Sequence, residues 1–299
     1  MQWVKLPAVW ILGAALVIAL LPMAIERFSG EQIINKPTYP IHRTVKYSFT
    51  VTNPNNHPVS NAELRIIAPV EQSPFQKTVS LKSNLTFEIQ EDDQGTKRMA
   101  FPVNNLAPFG SRNITITASV DLTDREYPFE LAQSDDYLKD EKLIQISNPD
   151  IQRISKRLRS EDPRKTIEKI YNWMVANIKN SGYSRDDMGA VHALKKKSGD
   201  CTEFMYLFSA LARANGIPTR NVAGFVVREN RILRPADYHN WNEAYIDGSW
   251  YIVDTDRQVF MEKPSEYIAM RFIGDGRSSQ PMDSQNFFSS SNSIMVTMN

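Results

Sequence analysis

Three residues in this sequence have the side chains for nucleophilic chemistry: Cys201, His239 and Asp254. Cys201 is the sole cysteine, so any thiol chemistry runs through it, and an intramolecular disulfide framework or a Cys-rich zinc site is ruled out. It follows Gly199-Asp200 and precedes Thr202-Glu203-Phe204. Asp200 is a good N-cap, and Phe204, Leu207, Phe208 and Leu211 supply an apolar face up to the Gly216-Ile217-Pro218 stop. Cys201 therefore falls in the first turn of a predicted helix, where unsatisfied amides and the helix dipole favour thiolate over thiol. A cysteine there can equally be a small buried filler, so the helix start alone does not decide its role.

The other two lie on a predicted hairpin. Residues 239–246 (HNWNEAYI) alternate, Asp247-Gly248 is a strong two-residue turn, and residues 249–254 (SWYIVD) return. If that turn sets the register, Ile246 faces Ser249, Trp241 faces Asp254, and His239 faces Asp256 with Asp254 as its diagonal neighbour. Opposed and diagonal residues share a face within roughly 5–8 Å at Cβ, so His239 and Asp254 are expected to meet. A hairpin histidine can be a surface residue, and strand carboxylates often cap turns. A lone cysteine at a helix start together with a His–Asp pair on a hairpin is a more specific coincidence.

These residues, together with Gly189-Ala190, Gly199-Asp200-Cys201, residues 211–220 (LARANGIPTR), His239-Asn240-Trp241-Asn242-Glu243 and Trp250-x-x-x-Asp254, resemble the transglutaminase-like superfamily over roughly residues 135–256. The resemblance implies a papain-like architecture, with Cys201 as nucleophile, His239 as general base and acid, and Asp254 orienting His239. Members of that superfamily include protein crosslinkers, amidases, peptidases and proteins lacking the triad; here the order Cys, His, Asp is intact. On that reading His239 takes the Cys201 proton and Asp254 holds the useful tautomer. The thiolate then attacks an amide carbonyl of a peptide or protein substrate. The Cys201 backbone amide is the natural oxyanion donor. Trp241 shares the face of the pair and is either a wall of the acyl site or core of the hairpin. Hydrolysis by a peptidase or amidase is favoured over crosslinking, since nothing marks a site built to exclude water. The alternative is a noncatalytic scaffold whose triad is vestigial.

The elements that must position these residues read as follows. Residues 6–25 (LPAVWILGAALVIALLPMAI) run uncharged for long enough, at 1.5 Å per residue, to span a bilayer core of roughly 30 Å. Residues 1–25 are therefore expected to be a single-pass transmembrane signal-anchor, with 26–39 a stalk and the catalytic domain extracytoplasmic. Residues 40–123 alternate with period two: Val45, Tyr47, Phe49 and Val51; Ala62, Leu64 and Ile66; Val79 and Leu81; Leu85, Phe87 and Ile89; Met99, Phe101 and Val103; and Ile114, Ile116, Ala118 and Val120. Such spacing predicts an antiparallel sandwich. Residues 106–111 (LAPFGS) before its last strand resemble immunoglobulin-like modules, which implies either a platform for a partner or a spacer. Residues 124–276 form the expected catalytic domain. Its first helices carry Ile151, Ile154 and Leu158, then Ile167, Ile170, Tyr171, Met174 and Ile178 behind an Asp162-Pro163 cap. Residues 277–299 are a Ser/Asn-rich segment whose end, 294–298, has the apolar content of an edge strand.

The expected fold class is α+β: a papain-like transglutaminase core preceded by an all-β immunoglobulin-like sandwich and one N-terminal transmembrane helix. Composition narrows the function classes. Lys plus Arg total 35 against 34 Asp plus Glu, a net charge of +1, so the basic footprint of a nucleic-acid binder is absent. Four histidines and one cysteine leave no multi-ligand metal spacing, and no Gly-rich phosphate loop is present. No cofactor is expected. Lys195-Lys196-Lys197 reads as a solvated helix end, with steering of an acidic substrate as the lesser alternative.

Overall fold

Strands with one apolar face open the body of the protein. Val45, Tyr47, Phe49 and Val51 are buried in a strand whose intervening residues reach solvent. The computed structural model describes Met1 and residues 37–91, 96–131, 134–273 and 288–299. The expected anchor at 6–25, most of the 26–39 stalk, the turn at 92–95 and the polar stretch from 277 to 287 lie outside the described residues. Among the described residues no helix is long and apolar enough to cross a membrane.

The first six strands are β1 (Ile41–Thr52), β2 (Ala62–Ile67), β3 (Gln76–Ser83), β4 (Glu88–Glu91), β5 (Lys97–Val103) and β6 (Ser111–Leu122). Next come α1 (Pro149–Leu158), α2 (Pro163–Asn177), β7 (Lys179–Asn180), α3 (Ala190–Lys196), β8 (Ser198–Gly199) and α4 (Cys201–Arg213). After these follow β9 (Thr219–Val226), β10 (Arg231–Ile232), β11 (Tyr238–Ile246), β12 (Ser249–Asp254), β13 (Val259–Phe260), β14 (Tyr267–Ile273), β15 (Phe288–Ser290) and β16 (Met295–Met298). The fold is thus mixed α+β and strand-rich.

Two sheets share the first core. One runs β10-β1-β6-β3, with β16 also on β1; the other runs β15-β2-β5-β4. Their inward residues, among them Phe49, Leu64, Phe101 and Ile116, form one apolar cluster. A register shift between Thr78 and Ser80 accompanies the one departure from the alternation in β3: Val79, expected to face inward, is 54% exposed. The third sheet, β13-β12-β11-β9-β14, packs against α4. Phe225, Val227, Leu233, Ile268 and Met270 extend from this part into the cluster between the first two sheets. Further ties are the parallel pairing of β10 with β1 and the return of β15 onto β2 and β16 onto β1.

Helix starts follow the sequence signals. Asn148 caps α1 by accepting from Asp150 N, and Asp162 caps α2 by accepting from Arg164 N, each with proline at the first helical position. In α4 every residue from Thr202 to Arg213 is buried, so this helix is enclosed by the others and by the sheet.

Candidate active site

Cys201 is the first residue of α4, half-buried at one end of an otherwise enclosed helix. A capping box fixes that end: Thr202 N donates to Asp200 Oδ1 at 2.9 Å, and Asp200 N donates to Glu203 Oε2 at 3.3 Å. The same two carboxyls hold the loop ahead of the helix, since Ser184 N donates to Asp200 Oδ2 and Met188 N to Glu203 Oε1, both at 2.9 Å. Gly199 is needed here because a Cβ would lie 2.3 Å from Glu203 Cβ. Burial pushes the Glu203 carboxyl up to about 7, opposed by the Met188 hydrogen bond and reinforced by the neighbouring Asp200. As the first helical residue, Cys201 has a backbone amide with no acceptor within its own helix.

The hairpin forms in the register expected from Asp247-Gly248: Ile246 opposes Ser249, and pairing runs on to Asn242 opposite Val253. His239 Nε2 and Asp254 Oδ2 lie 2.7 Å apart, both side chains buried. With Nε2 engaged by Asp254, Nδ1 is the ring nitrogen left for the hydrogen bond with the Cys201 thiol. Burial alone would lower the His239 pKa, but the charge and hydrogen bond of Asp254, helped by Cys201, outweigh it and push the imidazolium up to about 10. The structure therefore brings Cys201, His239 and Asp254 together.

Trp241 is placed differently from its neighbours. It is 1% exposed and lies in the cluster of Val222, Trp250 and Ile252, away from the cleft into which Cys201 and His239 open. Of the two sequence expectations for Trp241, the structure takes hairpin core. Gly224 makes room for it, since a Cβ there would lie 2.9 Å from the indole and 2.0 Å from Ile268 O.

Three side chains at this site were given no role from sequence, Asn240 and Asn242 entering only as members of the motif around His239. Tyr267, at the start of β14, donates its hydroxyl to Asp254 Oδ2 at 2.9 Å, while Arg257 N takes Asp254 Oδ1 at 3.0 Å. Burial, then the Asp254 charge, holds the Tyr267 phenol well above its ordinary pKa, so it serves as a donor. Asn240 Nδ2 donates to Thr202 Oγ1 at 2.9 Å. Asn242 Nδ2 reaches Met205 O, Ser209 Oγ and Asn221 Oδ1 at 2.8–3.0 Å. These two asparagines tie the strand carrying His239 to the helix carrying Cys201. Polar residues at alternate positions of an otherwise buried strand, 240 and 242, were the available signal.

A cleft of about 580 Å³ opens over Cys201 and His239. Asn180 and Asp256, joined by a 2.6 Å hydrogen bond from Asn180 Nδ2, line part of it.

No curated protein matches this sequence. In fold, the chain is similar to a candidate cysteine protease from Cytophaga hutchinsonii, at 18% identity and a TM-score of 0.59 over 87% of this chain and 91% of that one. It also aligns with the periplasmic domain of TgpA from Pseudomonas aeruginosa, at 17% identity and a TM-score of 0.40 over 71% and 88% of the two chains. The model of the Transglutaminase-like superfamily matches residues 152–255, a span that contains Cys201, His239 and Asp254. This part of the chain is similar to domains of the transglutaminase-like superfamily.

Proposed function

We propose that this protein is a cysteine-dependent acyl-transfer enzyme acting on a peptide or protein amide, with hydrolysis as its outcome. The observation that carries the reading is the contact of the Cys201 thiol with a His239 ring bonded to Asp254 at 2.7 Å, at the base of an open cleft. In the resting pair the Cys201 proton is already on His239, and the thiolate sulfur attacks the amide carbonyl carbon. The helix-start amide of Cys201 stabilises the oxyanion. As the tetrahedral species collapses, the C–N bond breaks, and the amine leaves with the proton from His239. Water then gives a proton to His239 and attacks the thioester. The C–S bond breaks, and the carboxylic acid product is released as the thiol is restored. Cys201 is half-buried at the cleft, so water reaches the thioester, which favours hydrolysis over crosslinking. In the same reading residues 6–25 anchor the chain in a membrane with this domain extracytoplasmic, and the two packed sheets are an immunoglobulin-like sandwich.

The test is intact-mass spectrometry of the purified full chain mixed with casein and dansylcadaverine. An acyl adduct on Cys201 and net peptide release are expected, both absent in Cys201→Ala. Amine incorporation exceeding hydrolysis would reverse the preference between outcomes. Full cellular function of Cys201→Ala would favour the noncatalytic scaffold instead.

A further inference from the structure

One side of the cleft over Cys201 is apolar and is built from segments far apart in sequence. Phe225 and Tyr238 oppose each other across β9 and β11, with ring centroids 5.4 Å apart. Phe288 on β15 meets Phe49 edge-on at 5.4 Å, and Met298 on β16 pairs with that same Phe49 in the ladder. All four pack on the core between the two sheets, and Tyr238 directly precedes His239. Besides His239, the acidic or basic side chains around the cleft are Asp200 and Asp256, both acidic; among the described residues no lysine or arginine lines it. Lys195, Lys196 and Lys197 are not part of the lining.

We propose that Tyr238, Phe288 and Met298, backed by the fully buried Phe225, form a specificity subsite for an uncharged apolar side chain on the acyl-donor side of the attacked amide, so that the two-sheet region selects the substrate. The inference rests on the acyl-transfer reading above. An apolar side chain against this wall leaves water for rings and a thioether. A carboxylate in the same place would lose hydration with no cation to pair with beyond the His239 imidazolium, which Asp254 already engages, and would sit near two acidic groups. An aliphatic side chain is therefore preferred over an acidic one by about 10–100-fold in rate. The selection stays with the acyl group through the thioester, because that side chain remains attached while the amine leaves.

Two N-acylated dipeptidyl fluoromethyl ketones test this on the purified full chain, one with leucine at both positions and one with glutamate at both. The Cys201 sulfur displaces fluoride and forms a thioether, read by intact mass. Each rate is divided by the same protein's rate with iodoacetamide, which reports thiol reactivity without the subsite. The leucyl probe should be favoured about tenfold or more in the parent. Met298→Lys, whose hydrocarbon stem can still cover the wall, should lower that ratio about tenfold by offering the glutamyl probe a cation. Phe288→Ala should lower it as well. A ratio near one in the parent, or one unmoved in both variants, overturns the subsite while leaving acyl transfer standing. A parent whose Cys201 reacts with iodoacetamide no faster at pH 6 than its urea-unfolded chain overturns the acyl-transfer reading, and the subsite with it.

Discussion

Between the two sheets, the side chains that β1, β2, β5 and β6 bury in the shared cluster are hydrocarbon apart from the Tyr47 hydroxyl and the Met99 thioether. Between α4 and β11, the contact surfaces carry Thr202, Ser209, Asn240 and Asn242, all buried and joined side chain to side chain. Apolar burial is non-directional: it decides which face of a strand turns inward, and it tolerates small displacements of one layer over another. Buried hydrogen bonds have narrow geometry and cost much when unmade, so they admit one relative position. The polar contact occurs where a helix-borne thiol must meet a strand-borne imidazole. The apolar one occurs where layers need only stay packed.

The sharpest break between the two regions should come from charge, which only the second region uses at its centre. Folding raises His239 to about 10, from roughly 6.5 in an unfolded chain. A basic group raised by folding stabilises the native state fully below its unfolded pKa, and that contribution is lost as pH climbs through the folded value. The urea midpoint of the parent should therefore decline between about pH 6.5 and 10, and His239→Ala should flatten that decline. The same variant removes the cation beside Cys201, so its iodoacetamide rate at pH 6 should fall by about tenfold or more. Equal slopes in the two proteins would show that His239 is not the group carrying the pH dependence.

A paired substitution compares the packing styles directly. Phe101→Ala empties space between the sheets and should cost about 3–5 kcal/mol in chemical denaturation. Well below its melting temperature its Cys201 alkylation rate should stay within about twofold of the parent if the packing between the sheets is independent of the contact between α4 and β11. Asn242→Leu keeps the branched shape but removes the contacts with Met205, Ser209 and Asn221, at about 1–3 kcal/mol. Although cheaper, it should slow alkylation more than Phe101→Ala does, because β11 is freed to shift against α4. If the larger stability loss also brings the larger loss of alkylation, the polar contact does not position His239.

Much of this arrangement could be read along the chain, because the signals were local. Asp247-Gly248 gave the register of β11 on β12, and with it the meeting of His239 and Asp254. Asp162 and Asp200 gave two helix starts, the second of which positions Cys201. What escaped depends on pairings between distant segments. β10 joins β1 across more than half the length of the protein, and no pattern in Arg231-Ile232 announces a partner. The cleft wall of Phe288 and Met298 exists only because β15 and β16 return to different sheets. Trp241 shows the limit of alternation as a guide: it shares a face with His239, yet period two cannot say where along that face the cleft stops and the core begins.

Tyr267 gives the smallest effect and the finest test, because its hydroxyl and His239 Nε2 share one oxygen of Asp254. Tyr267→Phe removes that donor alone; the ring keeps its place 5.0 Å from Trp241. A structural hydrogen bond and one that tunes the pair would both cost stability, about 1–2 kcal/mol, so stability does not separate them. The His239 titration does. A carboxylate that loses a competing donor accepts more strongly from its remaining partner, so the imidazolium should become harder to deprotonate. Its midpoint, followed by NMR of the labelled ring, should rise by about half a pH unit or less. Asp254→Asn should move the same midpoint the other way and further, down by about 1–3 units, because the charge itself is gone. A midpoint that falls in Tyr267→Phe would mean that the hydroxyl supports the imidazolium, most simply by holding Asp254 in place. One that stays fixed while stability drops would assign Tyr267 to the packing of β14, and the polar design of the site would then end at Asp254.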